Sequence, residues 1–494
     1  MTIPKEIDLI LEKLTKTRPD GSRQGNYEAY IVGGCVRDIL RNVKPNDWDI
    51  TTNANPKELQ KLFPKNFYEN QFGTVSVITN SKDETLKVVE ITPFRLEGKY
   101  SDKRHPDEIS FAKTLNEDLS RRDFTINALA LELNSKSKTL NPKIIDFFDG
   151  QKDLKKKIIR TVGDANKRFE EDALRMLRAI RFACTLDFTI EDKTFKAIQK
   201  NAEWIQMISN ERIHDELIKI FETNKVAYGI DLLRQTNLLK FILPELDKGV
   251  GVSQNKHHVY DIYEHSLRAL DEAAKHKFNL EVKIAALFHD IGKPETKQGE
   301  GPDSTFYNHD YVGAKFTDRI LKRLKFSNKL IDRVVLLVKN HMFVSDPEKL
   351  TDAGARRLLK RVGRENIVDL INLRVADRLG MGRPKEKPYR LRTIEYMIEK
   401  VSKDPISAKM LKINGTDIMK ILKIEPSPKV GAILDVLLSE VIEEPKNNNK
   451  KYLENRVLEL NEENLEVLRK LAKGKIEDKK EEEDLKIRNK YWIK

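Results

Sequence analysis

The pattern of apolar and polar positions changes once along the chain, near residue 150. Before that point, short runs rich in β-branched residues alternate with brief helical patterns, and after it apolar residues recur at helical spacing. The pattern predicts an α+β head followed by mostly α-helical regions. Strands are predicted at 30–32, 74–79, 86–94 and 143–148, and short helices at 35–42 and from Asn55 onward.

Three other segments carry predictions. Residues 119–133 are predicted to form one helix. Residues 95–109 are polar and show neither helical nor strand periodicity, so we expect a mobile loop there. After Asn447 lysine and glutamate dominate, which predicts a solvated helix or a frayed end.

Composition narrows the class of protein. The 494 residues exceed the roughly 250–300 that a single core supports, so several domains are expected. Lysine and arginine outnumber aspartate and glutamate by 91 to 78, and the net charge of +13 is compatible with an anionic partner such as nucleic acid. Two cysteines exclude a disulfide framework, and no apolar run approaches the roughly 20 residues of a membrane span. We therefore expect a cytoplasmic protein without a membrane partner.

The first candidate chemistry lies in the stretch IVGGCVRDILRNVKPNDWDI. Gly33 and Gly34 form a predicted tight turn between a strand and a helix, where backbone N–H groups can approach a phosphate. Arg37 is expected to clamp that phosphate. Asp47 and Asp49 are two apart in what is predicted to be the next strand, so both carboxylates should face one side. Such a pair can hold a divalent metal against a triphosphate.

Two later motifs extend this chemistry. Glu90 lies mid-strand in VVEIT and is the best candidate for a third carboxylate at the metal. In RRDFTINA, Arg121 and Arg122 can contact the triphosphate, and Asp123 with a guanidinium can hold the ribose 2′-hydroxyl. The alternative for Asp123 is an acid that stabilises the first turn of a helix.

The stretch EEDALRMLRAIRFA predicts a helix that places Asp172 and Arg175 at i and i+3, on one face. The carboxylate can accept a hydrogen bond from a base amino group, and the guanidinium can donate to ring acceptors. The pair can therefore read a base edge without a template. A salt bridge on the helix surface is the alternative interpretation.

Histidines follow a recognisable order in the middle of the chain, and AALFHDIGK places a vicinal histidine and aspartate on an apolar helix. An imidazole and a carboxylate in that setting are costly unless they are paired or bound to a metal. The spaced series therefore predicts a metal site. It consists of His265, His289, Asp290, His309, His341 and Asp377.

Together these motifs closely resemble those of the class II tRNA nucleotidyltransferases, which build the CCA 3′ end of tRNA, and of their relatives the bacterial poly(A) polymerases. The resemblance runs from about residue 28 to 245, through GGCVRD with DWD, RRDFTINA, FFDGQKDL, EEDALRMLRAIRFA and ERIHDEL. It implies a polymerase-β-like head and a helical neck, body and tail that bind the tRNA acceptor arm. The implied reaction adds C, C and A from CTP and ATP with Mg²⁺.

The resemblance also implies roles for individual residues. Asp47 and Asp49 would be metal ligands and Glu90 the third acid, with two ions acting on the reacting phosphate. Asp172 and Arg175 would pair with the incoming C or A. The other implied nucleotide-binding residues are Gly33, Gly34, Arg37, Arg122, Asp123, Asn127 and Arg178.

The histidine series resembles the HD-type metal-dependent phosphohydrolase domains that occur in some CCA-adding enzymes. A transition metal such as Ni²⁺ or Mn²⁺ is the occupant that this resemblance implies. The implied first metal site consists of His265, His289, Asp290 and Asp377, and a second would be completed by His309 and His341.

These signals divide the chain into predicted domains. They are an N-terminal helix (1–25), the nucleotidyltransferase head (26–150), a helical neck and body (151–255), the HD domain (256–385) and a helical, RNA-binding tail (386–494).

Several alternatives stay open at this point. A poly(A) polymerase is disfavoured because the segment between Phe94 and RRDFT lacks the extra basic motif of that branch. A dedicated A-adding enzyme is the second rival, and the full length of segment 95–109 favours complete CCA addition over CC addition. An HD phosphohydrolase with an inactive head and a non-catalytic RNA-binding protein belong to other classes. The presence of all the expected residues argues against both, namely Asp47, Asp49, Glu90, Asp172 and Arg175.

Overall fold

The computed structural model describes residues 3–16, 27–69, 73–97, 109–133, 142–255, 259–343, 351–382, 387, 389–402 and 411–493. The chain forms two compact units, Met1–Val338 and Lys339–Lys494. No helix in the described part of the chain combines the length and the apolar character needed to cross a membrane.

The first unit begins with the mixed head that the hydrophobic pattern predicts. Its helices and strands are α1 (Lys5–Lys16), β1 (Ala29–Val32), α2 (Gly34–Leu40), β2 (Asp49–Thr52), α3 (Pro56–Leu62), β3 (Asn66–Glu69), β4 (Thr74–Ile78), β5 (Val88–Pro93), β6 (Arg95–Glu97), β7 (Ile109–Phe111), α4 (Leu115–Ser120), β8 (Leu129–Glu132) and β9 (Lys143–Asp146).

Seven of these strands form one mixed sheet in the order β3-β4-β5-β2-β1-β8-β9. β2 and β5 pair in parallel, and the other neighbours pair antiparallel. One face of the sheet packs on α1, α2 and α3 through a fully buried apolar cluster that includes Ile50 and Ile91. Asp49 and Glu90 precede these isoleucines by one residue and are paired with each other, so alternation places both on the opposite face.

The prediction of one helix over 119–133 was wrong. α4 covers only its first two residues, a 3₁₀ turn follows at Thr125–Asn127, and Leu129–Glu132 form β8. Leu129 and Leu131 belong to the apolar cluster on one face of the sheet, and Ala130 belongs to a second cluster on the other face. A strand buried on both faces is apolar throughout and lacks alternation, so its sequence resembles that of a buried helix.

The strands predicted at 30–32, 74–79, 86–94 and 143–148 are confirmed, and so are the helices predicted at 35–42 and from Asn55 onward. Each predicted end lies within two residues of the observed one. α3 begins with the predicted cap, because Asn55 Oδ1 accepts the Glu58 N–H at 3.0 Å and Glu58 Oε2 accepts the Asn55 N–H at 2.8 Å. The segment 95–109 is not a loop at its ends, where β6 and β7 pair as a hairpin. These strands are too short for alternation to reveal them, and residues 98–108 of the predicted loop lie outside the described residues.

The helical region that follows the head is joined to it at a buried carboxylate. Asp153 is fully buried, accepts a hydrogen bond from Thr125 Oγ1 at 2.7 Å and pairs with Arg160. A Cβ on Gly150 would overlap the Thr125 carbonyl oxygen, so only glycine allows this approach. The elements here are α5 (Gly150–Lys156), β10 (Ile158–Ile159), α6 (Ala165–Glu171), α7 (Leu174–Leu186), β11 (Thr189–Ile190), α8 (Asp192–Asn201), α9 (Asn210–Phe221), α10 (Val226–Gln235), α11 (Leu239–Ile242) and α12 (Pro244–Asp247).

The remainder of the first unit is helical, as predicted, and carries four members of the histidine series, His265, His289, Asp290 and His309. Lys283 Nζ donates to the Phe221 carbonyl oxygen at 2.9 Å and so links this part to α9. The helices are α13 (Ile262–Lys275), α14 (Leu280–Phe288), α15 (Lys293–Thr296), α16 (His309–Arg323) and α17 (Asn328–Asn340).

The second unit is also helical and has its own apolar cluster, which includes Ile433, Leu437 and Leu468. The C-terminal helix predicted after Asn447 is anchored rather than frayed, because Glu399 accepts from Lys490 Nζ and Tyr491 Oη, each at 2.7 Å. The helices are α18 (Asp352–Val362), α19 (Ile367–Gly380), α20 (Tyr389–Ser402), α21 (Gly415–Leu422), α22 (Pro428–Glu443), α23 (Lys450–Leu460) and α24 (Leu465–Lys490).

Candidate active site

The candidate active site starts where β1 ends and α2 begins. Gly33 has a φ of +84°, and a Cβ there would lie 2.9 Å from Arg122 Nη1 and 3.3 Å from Asp49 Oδ2. Both the backbone conformation and the crowding require glycine. Arg37, in the first turns of α2, donates to Asn127 Oδ1 at 2.8 Å. The glycine turn therefore brings a strand, a helix and RRDFTINA together around one point.

The prediction that Asp47 and Asp49 lie in the same strand was wrong. Val32, the last residue of β1, pairs with Asp49, and the chain turns away at Gly33, so no β1 residue pairs with Asp47. Asp47 consequently lies in a bend and is exposed, whereas β2 begins at Asp49. Trp48, which lies between the two acids in the sequence, is buried.

The three predicted acids nevertheless share one patch. Glu90 pairs with Asp49 across β5 and β2. Burial and the charge of Asp47, with a smaller effect of Glu90, raise the pKa of Asp49 to about 6, although the nearby Arg122 opposes this. Carboxylates that repel one another and offer hard oxygen ligands are a donor set that fits a divalent cation.

A cavity of about 460 Å³ adjoins Asp47 and Asp49. Eight basic and four acidic side chains line it among the described residues, so it attracts anions. This excess of positive charge suits a nucleoside triphosphate. The basic residues are Arg37, Arg121, Arg122, Arg175, Arg178, Arg181, Arg212 and Lys219, and the acidic ones are Asp47, Asp49, Asp123 and Asp172.

Asp123 organises one wall of this cavity, where it follows α4 instead of lying in the first turn of a helix. It is buried and accepts hydrogen bonds from Arg178 Nε at 2.9 Å, Arg178 Nη2 at 2.6 Å and Asn127 Nδ2 at 3.1 Å. Burial acts to raise the pKa of Asp123, but Arg178 and Asn127 outweigh it and lower that pKa to about 2. The carboxylate is therefore ionised and fixed in position.

Asp172 and Arg175 both line the cavity but do not lie on one helix face, which corrects the prediction. Asp172 separates α6 from α7, and its Oδ1 accepts the Leu174 N–H at 3.0 Å. An aspartate that caps the next helix in this way interrupts the helix before it. Arg175 lies in the first turn of α7 and is buried.

The two residues are held by different partners. Arg212 donates to both carboxylate oxygens of Asp172, at 3.2 Å to Oδ1 and 2.7 Å to Oδ2. Arg175 donates to the Glu171 carboxylate and, at 3.1 Å, to the Arg121 carbonyl oxygen. Each side chain of the predicted base-reading pair is thus fixed by its neighbours.

Sequence reasoning missed the contribution of α9 to this cavity. Arg212, Glu216 and Lys219 are spaced at i, i+4 and i+7, so they form a polar stripe on one helix face. Glu216 is buried and pairs with Arg181, and the two basic residues line the cavity. The stripe was visible within and beside ERIHDEL and is the signal that could have identified these residues.

A second candidate site lies elsewhere in the first unit, where α13, α14 and α16 meet. His265 Nε2 is 3.1 Å from His289 Nε2, and Asp290 Oδ2 is 3.4 Å and 3.2 Å from these two nitrogens. His309 Nε2 is 3.5 Å from Asp290 Oδ1. All four residues are buried, and His289 and Asp290 lie just past the end of α14 instead of within it.

The hydrogen bonds made by Nδ1 of His289 and His309 indicate the protonation state of Nε2, the nitrogen that faces Asp290. His289 Nδ1 is 2.8 Å from the Ala286 carbonyl oxygen, and His309 Nδ1 is 2.7 Å from that of Phe306. Because a carbonyl only accepts, each Nδ1 donates, and the neutral ring carries its lone pair on Nε2. Imidazole nitrogens and a carboxylate that converge in this way form a donor set suited to a transition metal.

Lys293 also belongs to this cluster and was missed, although AALFHDIGK contains it. Its Nζ is 2.7 Å from Asp290 Oδ2 and 2.6 Å from Gln254 Oε1. His341 and Asp377 belong to the second unit, where both are buried and Asp377 accepts from Arg374 Nη1 at 2.7 Å. Their participation in the metal sites stays a prediction.

Comparison with known protein families gives three matches along the chain. Residues 29–160 match the Poly A polymerase head domain, and residues 187–249 match the probable RNA and SrmB-binding site of polymerase A. Residues 262–382 match the HD domain. Use of divalent metal follows for both the head and the HD region.

Similar proteins extend over nearly the whole chain. The CCA-adding enzyme of Ligilactobacillus salivarius is 32% identical over 442 residues, covering 89% of this chain and 93% of that enzyme. The A-adding tRNA nucleotidyltransferase of Deinococcus radiodurans is 33% identical over 424 residues, covering 83% and 90%. Among solved structures, the Bacillus stearothermophilus CCA-adding enzyme in complex with CTP is 27% identical, with a TM-score of 0.56 and coverage of 93% and 98%.

Proposed function

The chain belongs to the family of CCA-adding tRNA nucleotidyltransferases, and from that membership we propose that it adds C, C and A in turn to the 3′ end of tRNA, using CTP and ATP and no template. The tRNA acceptor arm is its macromolecular partner. One observation carries the proposal: a strongly basic cavity adjoins Asp47 and Asp49 at the Gly33 turn.

The reaction forms a bond between the RNA 3′-oxygen and the α-phosphorus of the incoming nucleotide, and it breaks the bond from that phosphorus to the pyrophosphate leaving group. We assign the phosphates to the cationic cavity, with Arg37 as a clamp and Arg122 beside the acids. Asp47, Asp49 and Glu90 are assigned to hold Mg²⁺. When bound there, two such ions supply positive charge for the attacking and the leaving oxygens.

We assign the nucleoside to the opposite wall of the cavity. Asp123 and Asn127 are fixed by their hydrogen bonds and offer acceptors and donors to the ribose, with Arg178 as their partner. Asp172 and Arg175 are assigned to the base edge. A carboxylate has about four acceptor positions, so Asp172 retains capacity for a base amino group while Arg212 and Leu174 hold it.

We further propose the domain organisation expected from the sequence, with the head at 26–150, the neck and body at 151–255, the HD domain at 256–385 and the tail at 386–494. The polymerase head match at 29–160 and the HD match at 262–382 support the first and third of these assignments. The neck and tail are proposed to bind RNA.

A second activity is favoured by the buried cluster of His265, His289, Asp290 and His309. We propose that this cluster holds Ni²⁺ or Mn²⁺ and hydrolyses phosphoesters such as 2′,3′-cyclic nucleotides. The converging Nε2 atoms and the bridging position of Asp290 between them and His309 support the proposal.

The principal experiment incubates tRNA lacking its CCA end with labelled CTP, with ATP, or with both, and resolves the products at single-nucleotide length. We expect two additions with CTP alone and three with both nucleotides. Addition of A to tRNA that already ends in CC, without any addition of C to CCA-less tRNA, would assign the chain to the A-adding group. A long A tract would assign it to the poly(A) polymerases.

A further inference from the structure

The sheet face that carries the acids continues past Asp49 to the edge of the sheet. The register pairs Asp49 with Glu90, Glu90 with Ser76 and Ser76 with Phe67, across β2, β5, β4 and β3. Residues paired across neighbouring strands point to the same face. Phe67 therefore shares the face of Glu90, two strand spacings or about 10 Å away.

Three apolar side chains on this part of the face are exposed to solvent, while Ser76, between Phe67 and Glu90, is buried. Phe67 is 64% exposed, Val88 47% and Ile78 37%, and alternation places all three on the side of Glu90. On the opposite face of the same strands, Val75 and Val89 are fully buried. A sheet with one solvated face normally carries polar side chains there, so an exposed apolar group beside an active site indicates a binding surface. We name Phe67, Ile78 and Val88 the sheet platform.

The in-line geometry of the reaction indicates which substrate binds at the sheet platform. The cavity that suits the triphosphate reaches from the Gly33 turn to Asp47 and Asp49, and Glu90 lies one strand farther from that turn. Attacking and leaving oxygens stand roughly in line on opposite sides of the phosphorus in phosphoryl transfer. With the triphosphate in the cavity, the attacking 3′-hydroxyl must approach from the Glu90 side, where the sheet platform begins.

We propose that the sheet platform binds the 3′-terminal nucleotide of the RNA, whose base stacks on Phe67 while its 3′-hydroxyl points toward Asp49 and Glu90. The proposal rests on the nucleotidyltransferase function proposed above. Aromatic stacking accepts any base because every base has a π face. This tolerance suits a primer whose terminal base changes after each addition. Phe67 is thus a positioning residue for RNA, separate from the residues that select the incoming nucleotide.

The test compares Phe67→Ala with Tyr68→Ala, because Tyr68 is the next residue of the same edge strand and points to the opposite face. Steady-state addition of C is measured with varied CCA-less tRNA and, separately, with varied CTP. We expect Phe67→Ala to lower kcat/KM for the RNA by about 5- to 150-fold, with the KM for CTP unchanged. Phe67→Trp retains an aromatic ring, so its kcat/KM for the RNA should stay within about threefold of wild type. The kcat/KM of Tyr68→Ala should also stay within about threefold of wild type.

A second measurement separates stacking from a general effect on the fold. The same variants are assayed with an RNA whose terminal nucleotide lacks its base but retains the 3′-hydroxyl. If the base stacks on Phe67, removal of the base should lower the kcat/KM of wild type about as much as Phe67→Ala lowers it on normal RNA. The two reductions should not add when Phe67→Ala acts on the RNA without the base.

Additive losses, or equal behaviour of Phe67→Ala and Tyr68→Ala, would overturn the sheet platform while the proposed function stands. Failure of the wild-type protein to add any nucleotide to normal RNA would instead overturn the proposed function.

Discussion

The two candidate metal sites of the first unit contrast in ligand type and in access to solvent. In the head, Asp47 and Glu90 are exposed, and the proposed ligand atoms are all carboxylate oxygens. In the histidine cluster, His265 and His289 are each 1% exposed and imidazole nitrogens predominate. Hard oxygen ligands suit Mg²⁺, and imidazoles suit transition metals. For the metals proposed above, this difference in ligand chemistry would direct Mg²⁺ to the head and a transition metal to the histidine cluster.

The difference in access follows from what each site must admit. The head site adjoins a wide, basic cavity and an open sheet face, so a triphosphate and an RNA end can approach together. The histidine cluster lies where three helices meet, and the Lys293 ammonium pairs with its carboxylate, Asp290. A site of that kind suits a small phosphoester.

The largest expected effect tests whether the two sites act independently. Asp49→Asn should lower addition of both C and A by about 10³-fold or more, because a metal ligand is lost without a change in volume. Addition is measured on CCA-less tRNA, and His289→Ala is the matched variant that should leave it within about twofold. Hydrolysis of a 2′,3′-cyclic nucleotide with Ni²⁺ or Mn²⁺ should show the reverse pattern.

Loss of both activities in either variant would contradict independent sites. Retention of addition within tenfold of wild type in Asp49→Asn would remove this residue from the metal site.

The next effect concerns base selection at the head. Asp172→Ala should raise incorporation of UTP relative to CTP by about ten- to a hundredfold, because the acceptor for the base amino group is lost. Arg212→Ala should change the same ratio in the same direction but less, since Asp172 remains and only its two hydrogen bonds from Arg212 disappear. The measurement is the ratio of kcat/KM for CTP to that for UTP. A uniform loss of rate with an unchanged ratio would make both residues structural.

How far the sequence predicts this site depends on the spacing of its residues. The Gly33 turn and the α3 cap are local features, and the glycine and the asparagine at those positions predict them. Asp172 was predicted on a helix because apolar periodicity runs through it, whereas its capping bond to Leu174 interrupts the helix. Arg212 joins Asp172 from 40 positions away, and no local pattern specifies that pairing. The same reason explains why β8 was mistaken for a helix: its partners on both faces come from distant parts of the chain.

A smaller effect sharpens the contrast in ligand chemistry at the histidine cluster. Lys293 Nζ lies 2.7 Å from Asp290 Oδ2, so its positive charge opposes that of a cation bound by the same carboxylate. Lys293→Gln should therefore strengthen Ni²⁺ binding by about tenfold, measured by calorimetry on the full chain treated with a chelator. Lys297→Gln is the matched control, since Lys297 Nζ donates to Ser253 Oγ at the surface and, among the described residues, has no carboxylate partner. Weaker binding in Lys293→Gln would show that the ammonium supports the cluster instead of competing with the metal.

The last expected effect, similar in size, concerns the stability of the chain without metal. Burial and repulsion from Asp47 raise the pKa of Asp49 from 3.8 to about 6. The folded protein therefore holds a proton there more tightly than the unfolded chain does, and ionisation of Asp49 destabilises the fold as the pH rises from about 4 to about 6. The asparagine side chain of Asp49→Asn cannot ionise. The free energy of unfolding of this variant, relative to that of wild type, should therefore increase over this pH range and then level off.

The gain above pH 7 should be on the order of 1–2 kcal/mol, because Asp49 is only partly shielded from solvent. Thermal unfolding of both proteins in chelator at pH 4.5 to 7.5 measures it as a difference in midpoint of a few degrees. Mg²⁺ should reverse the order at pH 7 by stabilising wild type alone, since the cation offsets the repulsion that raises the pKa of Asp49. A difference in midpoint that is independent of pH, or that Mg²⁺ does not change, would separate Asp49 from the cation-binding acids of the head.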